Sequence, residues 1–299
     1  TTLTARTPDE RAAIDETAAI SIGDFYRIFP VAEGSVKPAQ ITGSAFTFGI
    51  VNVSVQSCGD NCTDREDGNQ TWIAGLITSS DNLNFLVTRD NGTTWTAVDG
   101  RTTLLHNTRE DIAKMVESDG YIYTVIDQGG TAYLLRTSVA SILSNFADTT
   151  VVAGPYGATQ IFGLSVSSSY IWLAGFYNGQ TTIVWINKDT LAMGAYYKTD
   201  TEYPTAIYAY SDDSVVAVGL NGSVYHSNIN GIFNKLATKP ATLITGHDVH
   251  MFSETKWLAA YSNGIYYTLN AGLTWIKALT TSGWVKFAFY DDVTGYAVT

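Results

Sequence analysis

A short apolar strand followed by a turn of glycine or small polar residues recurs five times along this chain of 299 residues. Three of the turns are Asn178-Gly179, Asn221-Gly222 and Asn263-Gly264, and earlier equivalents lie at Gly129-Gly130 and Asp81-Asn82. Successive turns are 42 to 49 residues apart. Asn and Gly accept the positive φ angles that a two-residue hairpin turn requires, so each unit is predicted to contain four antiparallel strands around such a turn. Four-stranded units of about 45 residues have the size of β-propeller blades.

The two ends of the chain are predicted to form one further blade together. After the fifth unit, residues 283–299 supply only two strands. Residues 19–36 resemble the second half of a unit, because Ala19–Phe29 aligns with Thr268–Ala278, Gly on Gly and Tyr on Trp. Closing the ring in this way leaves no long exposed strand edge. We therefore expect an all-β fold, a six-bladed β-propeller of four-stranded blades over residues 19–299, with five or seven blades as alternatives.

The residues before this ring are predicted to form a separate leader, 1–18. Thr7-Pro8-Asp9-Glu10 has a capping threonine, a proline at the first helical position and a glutamate that completes a capping box. This pattern indicates a short helix over residues 8–18. The helix is expected to pack on the ring or to reach a partner, which leaves homo-oligomers and larger assemblies open.

Composition restricts the classes of protein to which the chain belongs. It is 45% hydrophobic, which is enough to bury a large core and excludes a disordered chain. No run of 18 apolar residues is present, so a membrane-spanning segment is not expected. The net charge of −11 comes without a basic block, which argues against nucleic acid as a partner. The 18 Tyr and 7 Trp are typical of strand-rich proteins.

A more specific motif lies between the third and fourth strands of two units. Residues 88–95 have the sequence Thr-Arg-Asp-Asn-Gly-Thr-Thr-Trp, and residues 268–275 repeat the pattern with Asn in place of Asp. In such a turn the Asp or Asn side chain accepts backbone N–H bonds, and the Gly adopts a left-handed conformation. The chain thus resembles the Asp-box (BNR-repeat) propellers, the superfamily that includes the sialidases. The resemblance implies structural roles for Thr88, Asp90, Gly92, Trp95, Thr268, Asn270, Gly272 and Trp275.

The same resemblance argues against sialidase activity. Sialidases use three arginines from separate blades to hold a carboxylate, because the guanidinium group binds it in a bidentate manner. All eight arginines of this chain lie at or before Arg136, so the later blades have none. Tyr26-Arg27-Ile28-Phe29-Pro30 is similar to the Arg-Ile-Pro motif of that family, but Phe29 interrupts it. The arginine triad therefore cannot be assembled.

Candidate site residues follow from the way propellers bind ligands over the central channel. Connections between blades and turns between second and third strands surround the channel at one face. The residues at these places that suit a polyhydroxylated ligand are Arg109, Tyr156, Tyr177, Asn178, Tyr203 and Trp284. Glycoside hydrolysis would need two carboxylates, and the candidates are Asp111, Glu202 and Asp248.

Two cysteines indicate the compartment. Cys58 and Cys62 are four residues apart with no histidine beside them, so a disulfide is favoured over a zinc site, with two free thiols as the alternative. A disulfide would place the protein in an oxidising compartment. The same loop carries four acids that could bind Ca²⁺, although a solvated acidic loop is favoured: Asp60, Asp64, Glu66 and Asp67. No other cofactor or metal is expected, and His247 and His250 are three apart, so a strand would point them to opposite sides.

These observations favour a non-enzymatic binding module at an extracellular or virion surface, which recognises a glycan or a cell-surface receptor. One alternative is a secreted glycoside hydrolase or lyase that uses carboxylates in the channel. A second alternative is a structural component of a virion, fibre or surface appendage, with the leader as its tether.

Overall fold

The computed structural model describes residues 46–53, 71–77, 83–89, 96–98, 100–101, 114–128, 131–144, 147–157, 159–198, 201–227, 232–283, 285–291 and 294–298. These residues form consecutive antiparallel sheets, and each sheet follows the previous one along the chain. The predicted leader helix and the predicted closing strand, residues 19–36, lie outside the described residues. No helix in the described part of the chain has the length and apolarity needed to span a bilayer.

Blades 1 and 2 make up the first two sheets. The strands of blade 1 are β1 (Phe46–Val53), β2 (Thr71–Ile77), β3 (Leu83–Thr88) and β4 (Thr96–Val98). Blade 2 adds a short edge strand before its own four strands: β5 (Gly100–Arg101), then β6 (Lys114–Ser118), β7 (Tyr121–Gln128), β8 (Thr131–Ser138) and β9 (Ala147–Gly157). β5 pairs in parallel with the start of β9, whereas all other pairs in these two blades are antiparallel.

Blades 3 to 5 have four strands each. Blade 3 contains β10 (Thr159–Val166), β11 (Tyr170–Tyr177), β12 (Gln180–Asn187) and β13 (Met193–Lys198). Blade 4 contains β14 (Pro204–Ala209), β15 (Val215–Gly219), β16 (Val224–Ser227) and β17 (Phe233–Lys235). Blade 5 contains β18 (Gly246–Met251), β19 (Trp257–Tyr261), β20 (Gly264–Thr268) and β21 (Ile276–Leu279). The described part of blade 6 is β22 (Lys286–Asp291) and β23 (Thr294–Val298).

The first strands of successive blades lie side by side. β1 contacts β6, β6 contacts β10, and the series continues through β14, β18 and β22. The innermost strands therefore succeed one another around a common axis, as in a propeller. The all-β propeller fold predicted from the repeat is confirmed, and the sheets are consistent with the predicted range of five to seven blades.

Adjacent residues of the second strands point to opposite neighbours, which explains the unbroken apolar runs in the sequence. In β11, Trp172 and Ala174 pack toward blade 4, whereas Ile171 and Leu173 pack toward blade 2. Period-two alternation normally separates a buried face from a wet face. Here both faces of the sheet are buried, because blade 3 is covered by blade 2 on one side and by blade 4 on the other.

Blade 2 departs from the repeat at the position of the third turn. A short helix, α1 (Val139–Leu143), fills this place. Val139, Ile142 and Leu143 are buried in the apolar cluster between blades 1 and 2. The Arg89 guanidinium donates a hydrogen bond of 2.7 Å to the Leu143 carbonyl and thus ties the helix end to blade 1.

The antiparallel order divides the loops between two faces. The connections between blades and the turns between second and third strands define the connection face. The turns between first and second strands and between third and fourth strands define the opposite face. On the opposite face Asp212 joins blade 4 to blade 3, because its carboxylate accepts hydrogen bonds of 2.9 Å from the Ser168 hydroxyl and from the Ser169 N–H.

We expect Asp212→Ala to lower the free energy of unfolding by about 1 to 2 kcal/mol at pH 7. Burial alone would raise the pKa of Asp212, but hydrogen bonds from Ser167, Ser169 and Ser168 outweigh it and lower the pKa from 3.8 to about 2. The contribution is therefore complete above about pH 4 and is lost as the pH falls through 2. Denaturant unfolding at pH 7 and pH 2.5 measures it. Asp213→Ala, the exposed neighbour, serves as the control, and an equal loss in both variants would contradict the role of Asp212.

Candidate functional site

The connection face of blades 3 and 4 contains three of the predicted ligand-binding residues. Tyr177 ends β11, and Asn178 and Gly179 follow in the hairpin turn with φ values of 47° and 80°. Asn178 is exposed and Tyr177 is half-buried. Tyr203 lies at the end of the connection that leads into β14 and is also half-buried. All three residues therefore lie on the connection face, where the repeat predicted them.

Three aromatic rings at this face form a cluster that we call the aromatic platform, Phe162, Phe176 and Tyr203. The Tyr203 ring stacks on Phe162 with centroids 5.4 Å apart and planes 17° apart. It also contacts Phe176 at 4.9 Å with tilted planes. All three residues are half-buried, so part of their surface remains accessible to solvent.

A glycine holds the backbone of Tyr203 close to blade 4. A methyl group at Gly219 would lie only 2.1 Å from the Tyr203 carbonyl oxygen. The same oxygen accepts a hydrogen bond of 3.1 Å from the Leu220 N–H. The backbone position of Tyr203 is therefore set by the end of β15, the second strand of blade 4.

Glu202, one of the predicted carboxylates, is engaged by two lysines. Its Oε2 lies 2.7 Å from the Lys235 ammonium and 2.8 Å from the Lys239 ammonium. Burial acts to raise the pKa of Glu202, but hydrogen bonds and charge from Lys235 and then Lys239 lower it below its usual value. Its backbone carbonyl also accepts a hydrogen bond of 2.6 Å from the Tyr225 hydroxyl. Glu202 is thus held ionised and cannot serve as a general acid near neutral pH.

Asp248, the second carboxylate, lies on the innermost strand β18 and joins blade 5 to blade 6. It accepts hydrogen bonds from the Val249 N–H at 3.0 Å and from the Phe287 N–H at 2.8 Å. The Lys286 ammonium lies 4.0 Å from its Oδ1. Burial raises the pKa of Asp248, and the charge of Lys286 opposes this effect. Both oxygens therefore already have hydrogen-bond donors, and Oδ2 links the two strands through the Phe287 N–H.

One predicted position is wrong and several lie beyond the described residues. Tyr156 was placed in a connection between blades, but it lies inside β9 and pairs with Ala132 of β8. β9 continues to Gly157 and β10 begins at Thr159, so almost no connection remains. The other predicted residues lie outside the described part of the chain: Arg109, Asp111, Trp284, Asp90, Gly92, Trp95, Cys58, Cys62, Asp60, Asp64, Glu66 and Asp67.

The turn at residues 268–275, the second copy of the repeated motif, lies on the opposite face. The Thr268 hydroxyl accepts a hydrogen bond of 3.0 Å from the Gly272 N–H, and Gly272 has a φ of 79°. The Asn270 side chain accepts a hydrogen bond of 2.9 Å from the Thr274 N–H. Trp275 packs toward Trp257 with ring centroids 6.2 Å apart, in the cluster between blades 4 and 5. The turn is therefore stabilised by its own side chains and acts as a structural element.

His250 lies among aromatic side chains, which its position in the sequence did not indicate. Its ring lies 4.0 Å from Phe289, 4.4 Å from Tyr208 and 4.8 Å from Phe252, measured between centroids. Burial lowers the pKa of His250 from 6.5 to about 4. Tyr208, His250 and Phe289 occupy related places on three successive first strands, and this recurrence is the signal that could have revealed the cluster. Within the described residues no three His, Cys, Asp or Glu side chains converge as metal ligands would.

Comparison with known proteins supports the fold. No protein-family model matches the sequence, and no curated protein resembles it. Among solved structures, YCF48 from Cyanidioschyzon merolae superposes with a TM-score of 0.55 at 12% identity, covering 75% of this chain and 76% of that one. YCF48 bound to D1 peptide gives 0.53 at 12% identity, with 75% and 70% covered. The extracellular domain of the putative hybrid two component system BT3049 from B. thetaiotaomicron gives 0.52 at 11% identity, with 81% and 31% covered.

Proposed function

We propose that this protein is a non-enzymatic binding module that recognises a glycan through its connection face. The observation that carries the proposal is the aromatic platform, in which Tyr203 contacts two other rings and is only half-buried. Aromatic faces cover the C–H side of a sugar ring, and amides such as Asn178 bind its hydroxyls. In the Asp-box propellers that the sequence resembles, the Asp-box turns lie away from the ligand face, which agrees with this choice of face.

The second candidate is a glycoside hydrolase, and one observation favours it. The environment lowers the pKa of Glu202 and raises that of Asp248, and opposite shifts are typical of a base and an acid in one site. Against it, Glu202 is paired with two lysines and Asp248 accepts two backbone hydrogen bonds. A catalytic acid must instead offer its proton to the leaving group.

A peptide is the other kind of ligand to be tested. One structural neighbour, YCF48, has been solved with a bound D1 peptide. At 12% identity that likeness supports only the fold of this chain, so a peptide array forms a second arm of the experiment below. Binding of peptides without binding of glycans would contradict our proposal.

We expect Tyr203→Ala to weaken binding to the best ligand on a glycan array by at least about tenfold. Stacking of an aromatic ring contributes about 0.5 to 1.5 kcal/mol beyond the burial of its apolar surface, which is lost as well, and 1.4 kcal/mol corresponds to a factor of ten. Tyr203→Phe retains the ring and should keep most of the affinity. Isothermal titration calorimetry with the purified chain measures both variants.

Tyr210→Ala provides the matched control. Tyr210 is 47% exposed and lies in a turn on the opposite face, so its loss should leave affinity unchanged. Equal losses of affinity in Tyr203→Ala and Tyr210→Ala would show that the connection face is not the binding site. If the parent protein releases reducing ends from the bound glycan and Glu202→Gln abolishes this release, the protein is a glycoside hydrolase and our proposal is wrong.

We also propose that the protein acts at an extracellular or virion surface, where it would meet such glycans. The spacing of Cys58 and Cys62 supports this, since a disulfide persists in oxidising compartments. Mass spectrometry of the purified chain under non-reducing conditions tests it, and two free thiols would count against this location.

A further inference from the structure

Lysines gather on the connection face, in a chain whose overall charge is negative. Lys235 and Lys239 meet Glu202 there, and Lys286 donates a hydrogen bond of 2.5 Å to the His247 carbonyl. Two further lysines belong to the same face. Lys277 packs over the turn at Gly264. Lys114 begins the first strand of blade 2, and its charge acts to lower the pKa of Asp248.

The charges of the opposite face have the reverse balance. Among the described turns of that face, five carboxylates are present: Asp119, Asp189, Asp212, Asp213 and Glu254. The cations in the same turns are Arg89, Lys188 and Lys256. On the connection face, the carboxylates whose side chains the structure describes are Glu202 and Asp248, against five lysines. The two faces of the described part of the chain therefore carry opposite net charge.

Two of these lysines contact the residue that precedes the platform residue Tyr203. Tyr203 of the platform directly follows Glu202, and Glu202 holds both Lys235 and Lys239. Toward blades 5 and 6, Lys277 is exposed and the Lys286 side chain is 50% exposed. A ligand that stacks on Tyr203 and extends over blades 4 to 6 would thus pass along cationic groups.

We propose that the connection face of blades 4 to 6 selects an anionic glycan, one whose sugars carry carboxylate or sulfate groups. This inference rests on the proposed glycan-binding function and names the ligand class. Lysine ammonium groups attract such anions without requiring bidentate geometry, which fits a chain that lacks arginines beyond Arg136. A face with net positive charge also raises the local concentration of a polyanion and repels cationic ligands.

The test compares three oligosaccharide probes on the full chain: a heparin fragment for sulfate, an oligogalacturonate for carboxylate, and a neutral dextran fragment. We expect at least one anionic probe to bind more than tenfold more tightly than dextran, and its affinity to fall when sodium chloride is raised from about 50 to 300 mM, because salt screens surface charge. The sulfate and carboxylate probes then distinguish the two sources of charge.

Lys277→Gln and Lys256→Gln form a matched pair of variants. Both remove one lysine charge from blade 5, but Lys277 lies on the connection face and Lys256 on the opposite face. Lys277→Gln should weaken the anionic probe by about fivefold, since an exposed charge pair contributes about 1 kcal/mol. Lys256→Gln should change the affinity for this probe by less than about twofold. The double variant Lys277→Gln/Lys286→Gln should lose more affinity than Lys277→Gln alone.

Separate outcomes would overturn the two proposals. If dextran binds as tightly as the anionic probes, and Tyr203→Ala still removes that binding, the glycan-binding function stands and the charge selection is wrong. Equal losses in Lys277→Gln and Lys256→Gln would also overturn the selection. If no glycan binds but a poly-glutamate peptide does, the proposed function itself fails.

Discussion

Replacing Trp172 with alanine is expected to lower the free energy of unfolding by about 3 to 5 kcal/mol, as found when large buried aromatic residues are truncated. Only 1% of Trp172 is exposed. Its ring lies between blades 3 and 4, with centroid distances of 6.0 Å to Trp185 and 6.0 Å to Phe233. Its Nε1–H donates a hydrogen bond of 2.9 Å to the Ser167 hydroxyl. Truncation would leave a cavity between the two blades and remove this hydrogen bond.

Guanidinium unfolding at pH 7 measures this loss, with two variants for comparison. Trp172→Phe keeps most of the apolar volume and should cost clearly less than the alanine variant. Leu273→Ala changes a side chain that is 67% exposed and should stay within about 0.5 kcal/mol of the parent protein. A loss below about 1 kcal/mol for Trp172→Ala would mean that the interface between blades 3 and 4 is not the core we describe.

A second large effect is expected on acidification, through His250. In the folded protein, burial lowers the pKa of His250 from 6.5 to about 4. Between these values the unfolded chain binds a proton that the folded chain does not, so protons favour unfolding. The contribution of neutral His250 is therefore complete above about pH 6.5 and is lost as the pH falls to 4, with a total on the order of 3 kcal/mol.

Chemical denaturation at half-unit steps from pH 7.5 to 4 measures this loss, and His250→Phe isolates it. Phenylalanine suits the aromatic surroundings formed by Tyr208, Phe252 and Phe289 and does not titrate. The variant should retain a flatter stability profile across the window. Burial also lowers the pKa values of His226 and His247, so a smaller slope should remain. Parallel profiles for the parent protein and the variant would contradict the assignment to His250.

The fold was accessible from the sequence because its signals are local. Asn-Gly pairs specify tight turns without help from distant residues, and their spacing revealed the size of the blade. α1 escaped detection because it has only five residues, Val139–Leu143, too few to show a helical period in the sequence. Tyr156 was misplaced because Gly154-Pro155 resembles a loop, whereas the outer strand β9 tolerates them where its pairing with β8 is irregular.

The candidate site was less accessible because its chemistry depends on residues far apart in sequence. Glu202 appeared to be a free carboxylate, but Lys235 and Lys239 neutralise it from the outer strand and the next connection. Asp248 is held by Phe287, 39 residues further along. Such pairings require the blades to be assembled, so residue type and loop position alone predict where these side chains lie but not what they are able to do.

The apolar clusters of this protein belong to the gaps between blades, and this has a consequence for how the chain becomes structured. Each of the five clusters combines residues from two successive blades. A single blade would expose both of its apolar faces to solvent and, like a single unit of a repeat protein, would not be stable. During synthesis the first core can form only after blade 2 is complete, and each later blade adds one core to a growing stack. The smallest cooperative piece of the molecule is therefore a pair of neighbouring blades.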